Sequence, residues 1–188
     1  MKKLLFFSLF LSVIIYSCKN GSKSEASETD QITEEGQTTQ SNEEDTSSFF
    51  TLTINALVEL DDEFILYYLE EGQKDIKKEN SVAVKLSGSP SIQQLEFKLK
   101  DDTLPTNLIL RFAQETPEQK VTFMNSVITY GSSEFIIDAP RFFQFFNPNE
   151  CINFNKEENS ATVKEVNGRL NPSFNSREVL NQRLDLLL

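Results

Sequence analysis

Short segments in which apolar and polar residues alternate dominate the body of this 188-residue chain. The clearest of them span residues 50–58, 94–99 and 108–112. A period of two residues predicts strands that bury one face, because successive side chains of a strand point to opposite sides. Turn-forming stretches such as SGSPS (87–91) separate the segments, and no long helical pattern lies between them. The pattern therefore predicts an all-β fold, an antiparallel β-sandwich.

Two apolar stretches depart from simple alternation. Residues 63–69 (EFILYYL) are apolar on both faces, which predicts a central strand or a strand whose outer face meets a partner. The Phe-rich stretch at 140–148 (PRFFQFFNP) begins and ends with proline. A short helical turn there would place Phe142 and Phe146 on the same face, because residues four apart are neighbours on a helix.

The last residues of the chain have a different periodicity. Leu180 and Leu184 belong to an apolar stripe at helical spacing within residues 176–188, which predicts a short C-terminal α-helix. Asn175 is the expected N-cap of this helix. Glu178 follows three residues later, at the spacing of a capping box.

The first residues of the chain have the features of a secretory signal peptide. Met1 is followed by two lysines, and residues 4–15 (LLFFSLFLSVII) form an apolar run. A helix needs about 20 apolar residues to span a bilayer, so this run is short for a membrane anchor. A basic start followed by an apolar region of about 7–15 residues is typical of a signal peptide.

The end of this apolar run resembles the lipobox of bacterial lipoproteins, through Ile15, Ser17 and Cys18. The resemblance implies cleavage before Cys18, a diacylglyceryl group on its thiol and an acyl chain, such as palmitate, on its amine. Two or three acyl chains give stable membrane anchoring. Residue 19 is lysine, whereas an aspartate there commonly retains lipoproteins of this family in the inner membrane. The resemblance therefore implies the outer membrane and leaves open whether the protein faces the periplasm or the cell surface.

The segment that follows the lipobox predicts a disordered tether. Residues 19–48 carry eight acidic and two basic residues, with very few aliphatic side chains. Such a composition cannot bury enough apolar surface to offset the loss of chain entropy. The predicted organisation is a signal peptide at 1–17, a lipidated cysteine and acidic tether at 18–48, and a β-sandwich domain at 49–188.

Five segments of the body carry a second resemblance: NALVELDDEFILYYLEEG (55–72), ENSVAVKLSGS (79–89), IQQLEFKL (92–99), LPTNLILRF (104–112) and FFQFFNPNE (142–150). With these segments, residues 50–149 resemble an uncharacterised carbohydrate-binding-like module of bacterial envelope proteins. The resemblance implies a jelly-roll-like sandwich and, less directly, sugar binding. It supplies no ligand residues that can be transferred to this chain.

Composition excludes several classes of function. The chain has no histidine, so the commonest general base and metal ligand is missing. Cys151 and the serines therefore lack a histidine partner, and a buried, inert thiol is the expected state of Cys151. A net charge of −11 argues against nucleic acid as a partner, because phosphates require a basic surface. We expect a protein that is not an enzyme and has no organic cofactor.

Acidic pairs in the predicted turns are candidates for a calcium site. Calcium takes carboxylate and carbonyl oxygens, and loops of β-sandwiches often supply them. The candidate ligands are Asp61, Asp62, Asp101 and Asp102. Solvated turns without a metal explain the same residues, and the spaced oxygen ligands of an EF-hand loop are missing.

Tyrosines are the candidate ligand-binding residues, because each combines a flat apolar ring with a polar tip. We single out Tyr67, Tyr68 and Tyr130, and at least one of the first two should face outward. They predict a binding module for glycan or envelope polysaccharide. The alternative is an accessory subunit that binds another envelope protein through an apolar patch. Asp102-Thr103-Leu104 also resembles a periplasmic O-glycosylation tripeptide, which implies modification at Thr103.

Overall fold

The alternating segments form two antiparallel sheets in the computed structural model, which describes residues 48–100 and 102–187. Sheet A contains β1 (Phe50–Val58), β4 (Gln93–Lys98), β6 (Lys120–Tyr130), β7 (Ser133–Ile137), β9 (Ile152–Asn155) and β10 (Ser160–Val163). Sheet B contains β2 (Asp62–Leu69), β3 (Ser81–Leu86), β5 (Asn107–Arg111), β8 (Phe146–Pro148) and β11 (Ser173–Ser176). The strand orders are β4-β1-β6-β10-β9, with β7 also on β6, and β3-β2-β5-β11-β8. This architecture confirms the predicted all-β sandwich.

The connections between strands are jelly-roll-like. Hairpins such as β2–β3 and β9–β10 stay within one sheet, whereas β1–β2, β3–β4 and β5–β6 pass from one sheet to the other. Strands that follow one another in sequence therefore often lie in opposite sheets, as expected for a jelly roll. Both sheets contribute to one hydrophobic core.

Inward-facing residues of β1 show why this sequence folds as a sandwich. Every second side chain of the strand, from Phe50 to Val58, is buried, and the intervening ones are half-buried. β1 pairs with β4 on one side and β6 on the other, so it lies within sheet A. The predicted alternation is therefore confirmed where the strand is long and central.

A cluster of phenylalanines fills the space between the sheets. Phe142 stacks on Phe123 of sheet A with 3.9 Å between ring centroids, and on Phe146 of sheet B at 4.8 Å. It also meets Phe174 edge-on at 5.5 Å. The predicted turn is present as a 3-10 helix, Ala139–Arg141, followed by α1 (Phe142–Phe145). The predicted placement of Phe142 and Phe146 on one face is confirmed, because their rings stack on each other.

The C-terminal helix, α2, is shorter than predicted and spans Glu178–Asp185. Its buried residues are Leu180 and Leu184, as the apolar stripe predicted. The expected N-cap was wrong, because Asn175 lies in β11 and Arg177 occupies the cap position without a side-chain hydrogen bond. In the described part of the chain, no helix has the length and apolarity needed to cross a membrane.

Two short strands were not predicted. β11 (Ser173–Ser176) pairs with β5 on one side and with β8 (Phe146–Pro148) on the other. Their sequences, SFNS and FNP, are too short and too polar to show alternation. Sheet B therefore extends beyond β5. The two added strands carry Asn175 and Asn147.

Candidate functional site

The outward face of sheet B gathers apolar and polar residues from β2 and β5. Ile65, Tyr67 and Leu69 point away from the core and are half-buried, whereas the alternate residues of β2 are buried. β2 lies between β3 and β5, which confirms the predicted central strand. We name this surface the Tyr67 face and define it by Ile65, Tyr67, Leu69, Ile109, Arg111 and Asn175.

Strand register brings an arginine against Tyr67. In the pairing of β2 with β5, Tyr67 lies opposite Ile109 and Ile65 opposite Arg111. The guanidinium carbon of Arg111 is 5.7 Å from the centroid of the Tyr67 ring, within the range of a cation–π contact. The side chains are thus neighbours although they are distant in sequence.

Arg111 is positioned by few groups of its own chain. Its Nη2 donates a hydrogen bond to Oδ1 of Asn171, while its Nε is buried without a partner in the structure. Within residues 48–100 and 102–187, Arg111 forms no ion pair with a carboxylate. A guanidinium has five N–H donors, so this one retains donors for oxygens of a ligand.

Amide and hydroxyl groups extend the Tyr67 face on both sides. Ser81 of β3 pairs with Tyr67, and Asn175 of β11 pairs with Ile109. Asn147 of β8 follows Asn175 in the same row across the sheet. An aromatic ring with flanking donors and acceptors can stack on the apolar side of a sugar and hydrogen-bond its hydroxyl groups.

Sequence reasoning identified Tyr67 but missed Arg111, Ile109 and Asn175. The signal for Arg111 was present, since it is the charged residue within the apolar strand NLILR. A charge on the outer side of a largely buried strand indicates a surface with a polar role. The signal for Asn175 was absent, because its strand was not predicted.

The other two candidate tyrosines lie elsewhere. Tyr68 is 3% exposed and belongs to the core, so it is withdrawn as a ligand-binding residue. Burial raises the pKa of the Tyr68 phenol, and a hydrogen bond from Thr103 opposes this shift. Tyr130 ends β6 in sheet A and lines a cavity beside α2. The three tyrosines therefore do not form one site, and one of the pair at 67 and 68 faces outward as expected.

Thr103 is a poor acceptor for a glycan in the folded protein. The residue is 6% exposed, and its side chain lies close enough to the phenol of Tyr68 to lower the pKa of that group. A transferase needs the hydroxyl at the surface, so the sequence-based expectation of O-glycosylation is corrected on grounds of accessibility. The preceding residue, Asp102, is exposed and has a positive φ of 54°.

The calcium candidates are separated by the length of a strand. Asp61 and Asp62 follow β1, whereas Asp102 donates its backbone N–H to the carbonyl of Ser48, before β1 begins. A strand rises about 3.3 Å per residue, so the nine residues of β1 keep these carboxylates about 30 Å apart. Asp101 lies outside the described residues. Among the described residues, no group of three or more acidic or cysteine side chains is arranged to hold a metal ion.

The carboxylates of Asp61 and Asp62 instead connect the turn between β1 and β2 to neighbouring loops by accepting hydrogen bonds. Oδ1 of Asp61 accepts the N–H of Gly88 at 2.8 Å. Oδ2 of Asp62 accepts a hydrogen bond from Nε2 of Gln119 at 3.1 Å, and both of its oxygens accept the N–H of Ala113 at 3.0 Å. The buried Gln119 also bonds the backbone of Leu60 in both directions. These contacts explain the acidic pair structurally.

Asp62 provides a prediction about pH. Burial raises the pKa of its carboxyl group, and the hydrogen bonds from Gln119 and Ala113 oppose the rise only in part. A folded-state pKa above the unfolded value contributes stability at low pH that is lost as pH rises through the folded value. The unfolding free energy of the native protein, minus that of Asp62→Asn, should therefore fall as the pH rises above about 4, the ordinary pKa of an aspartate.

Chemical denaturation of both proteins across this pH range measures that difference. The altered hydrogen bonds of Asp62→Asn shift its stability by a constant amount, so the slope against pH is the informative quantity. A difference that stays level or increases with pH would contradict the burial of this carboxyl group.

The two cysteines have separate outcomes. Cys151 is buried, 4% exposed and free, as predicted, and its thiol lies 3.8 Å from the carbonyl oxygen of Arg169. Cys18 and the signal peptide lie outside the described residues, as does nearly all of the tether.

No family model, curated protein or solved structure matches this chain.

Proposed function

We propose that this is a lipid-anchored, non-enzymatic protein of the cell envelope that binds glycan or envelope polysaccharide through the Tyr67 face. The observation that carries the proposal is the contact between Tyr67 and Arg111 on an outward sheet surface flanked by amides. The ring supplies a stacking surface, and Arg111 supplies guanidinium N–H donors besides the one bonded to Asn171. Sugar rings present both an apolar C–H side and polar oxygens, so they match these two features.

The proposed anchor explains how such a module would be used. Acyl chains on Cys18 would hold the protein at the outer membrane, and residues 19–48 would separate the sandwich from the lipid surface. A flexible chain of this length has an average span of about 30 Å. A binding module on such a tether can search for polymer within reach of the membrane.

The alternative function, an accessory subunit that binds another envelope protein, is favoured by different residues of the same face. Ile65 and Leu69 flank Tyr67 with half-buried aliphatic side chains, and the buried Ile109 lies opposite it on β5. Contiguous apolar surface is typical of protein-binding sites. Cross-linking in cells distinguishes the two functions, because a sugar-binding module yields no stoichiometric protein partner.

A glycan array tests the proposed function. With a soluble chain comprising residues 19–188, we expect binding to a subset of envelope-type glycans, measured with and without calcium. Tyr67→Ala and Arg111→Gln should each weaken that binding at least about tenfold, because tyrosines and arginines are enriched among the hot spots of interfaces, whose truncation costs about 2 kcal/mol or more. Far-ultraviolet circular dichroism would verify that both variants are folded.

Tyr130→Ala is the matched control, since it removes a half-buried tyrosine in the other sheet. It should leave glycan binding unchanged. Absence of binding to every glycan, or an equal loss in Tyr130→Ala, would exclude the Tyr67 face as a glycan site. Recovery of one specific cross-linked protein through position 67 would establish the alternative.

A further inference from the structure

A cavity of about 550 Å³ lies between α2 and the loop that joins β4 to β5. Its apolar wall is formed by Phe50, Leu104, Leu184 and Leu187, together with Pro105. Phe50 and Leu184 are buried core residues, so this wall is continuous with the core. A cavity of this size accommodates the body of a small organic molecule.

The rim of this cavity, which we call the α2 cavity, is negatively charged. Glu71, Glu178 and Asp185 line it and are exposed. Among the described residues, no lysine or arginine lines the cavity, and none of these three carboxylates forms an ion pair. Charges of one sign around a concave, partly apolar surface concentrate the local potential and attract the opposite charge.

Tyr130 adds an aromatic ring to the same cavity and is half-buried there. The face of an aromatic ring attracts ammonium groups, and neighbouring carboxylates strengthen this attraction. The combination of an apolar wall, a tyrosine and three carboxylates matches a molecule with an apolar body and one positive charge. We propose that the α2 cavity binds a small organic ammonium compound.

The acidic tether does not match this cavity. With eight acidic and two basic residues, the segment 19–48 has the same sign of charge as the rim. Neutral glycans can hydrogen-bond these carboxylates but gain no charge attraction from them. The charge of the rim therefore separates this site from the Tyr67 face, whose charged member is an arginine, and the two proposals can fail independently.

Titration with 2-phenylethylammonium tests the site, using the soluble chain of residues 19–188 labelled with nitrogen-15. We expect saturable amide shifts in two-dimensional NMR spectra, concentrated at Thr106, Asn181 and Leu187, which line the cavity. The neutral analogue 2-phenylethanol should bind about tenfold more weakly, and the anion 3-phenylpropionate more weakly still. Added salt should weaken binding of the cation but not of the neutral compound.

The double variant Glu178→Gln, Asp185→Asn leaves Glu71 as the one carboxylate of the rim and should remove most of the difference in affinity between the cation and the neutral analogue. Both side chains are exposed, so the fold should persist, and the amide spectrum verifies this directly. A second double variant, Glu150→Gln with Glu157→Gln, makes the same change in net charge at exposed positions that do not line the cavity. It should leave the affinity unchanged.

Three results would overturn the proposal. These are equal affinities for the cation and the neutral analogue, shifts that map away from the α2 cavity, and an equal loss of affinity in the two double variants. The last result would show that the cation responds to the overall charge of the protein. None of these outcomes depends on whether the Tyr67 face binds glycan.

Discussion

Replacing Phe142 with alanine should lower the free energy of unfolding by about 4 kcal/mol, the middle of the range measured for buried phenylalanines. Phe142 is fully buried and contacts Phe123 in sheet A and both Phe146 and Phe174 in sheet B. Its removal deletes apolar area, leaves a cavity and breaks aromatic contacts worth about 0.5–1.5 kcal/mol per pair beyond their area. The sheets would lose a side chain that packs against both.

Urea denaturation followed by far-ultraviolet circular dichroism measures this loss. Phe154→Ala is the matched control, because Phe154 contacts the same cluster through Phe143, at 5.0 Å between centroids, but is 41% exposed. It should cost about 1 kcal/mol or less. Similar losses in the two variants would show that Phe142 is not the centre of the core. If Phe142→Ala fails to fold, Phe142→Leu should give a smaller, measurable loss in the same direction.

Replacing Cys18 with serine should abolish acylation and leave an uncleaved precursor. A serine hydroxyl lacks the thiol to which diacylglycerol is attached in lipoproteins. With no acyl chains, the protein also loses the lipid anchoring to which each buried methylene contributes about 0.8 kcal/mol. Metabolic labelling with a palmitate analogue, followed by gel electrophoresis, reports acylation and precursor size together.

Cys151→Ser provides the control for labelling. This residue is buried in the sandwich, so its substitution should leave acylation and processing as in the native protein. Persistence of label in Cys18→Ser would contradict the proposed lipid anchor. Loss of label in both variants would point instead to a general defect in expression or export.

Long strands were the part of the fold that sequence predicted best. In β1 the buried side chains occur at every second position, from Phe50 to Val58. This regularity is local, because a strand that buries one face places its apolar residues at a spacing of two wherever it lies in the sheet. The same reasoning placed β4, β5 and β6 to within a few residues.

Short polar strands could not be predicted in this way. β11 contains one buried phenylalanine, Phe174, and is a strand because β5 and β8 hydrogen-bond to it on either side. The hydroxyl oxygen of Ser176, the last residue of β11, accepts a hydrogen bond from the N–H of Leu108 at 3.0 Å. These partners come from distant parts of the chain, so a local pattern contains no information about them.

Some features of the candidate site could likewise be predicted from the sequence, whereas others depended on the tertiary structure. Sequence alone determined that β2 has two apolar faces and that Tyr67 and Tyr68 point in opposite directions, because strand geometry alternates. Tertiary structure decided that Tyr68 enters the core and that Arg111 lies against Tyr67, because only the register of β2 with β5 sets these contacts. The tertiary structure also decided that Thr103 is buried and that Tyr130 lines the α2 cavity together with three carboxylates. Alternation is a property of each strand, whereas a binding surface is a property of strands that pair across the chain.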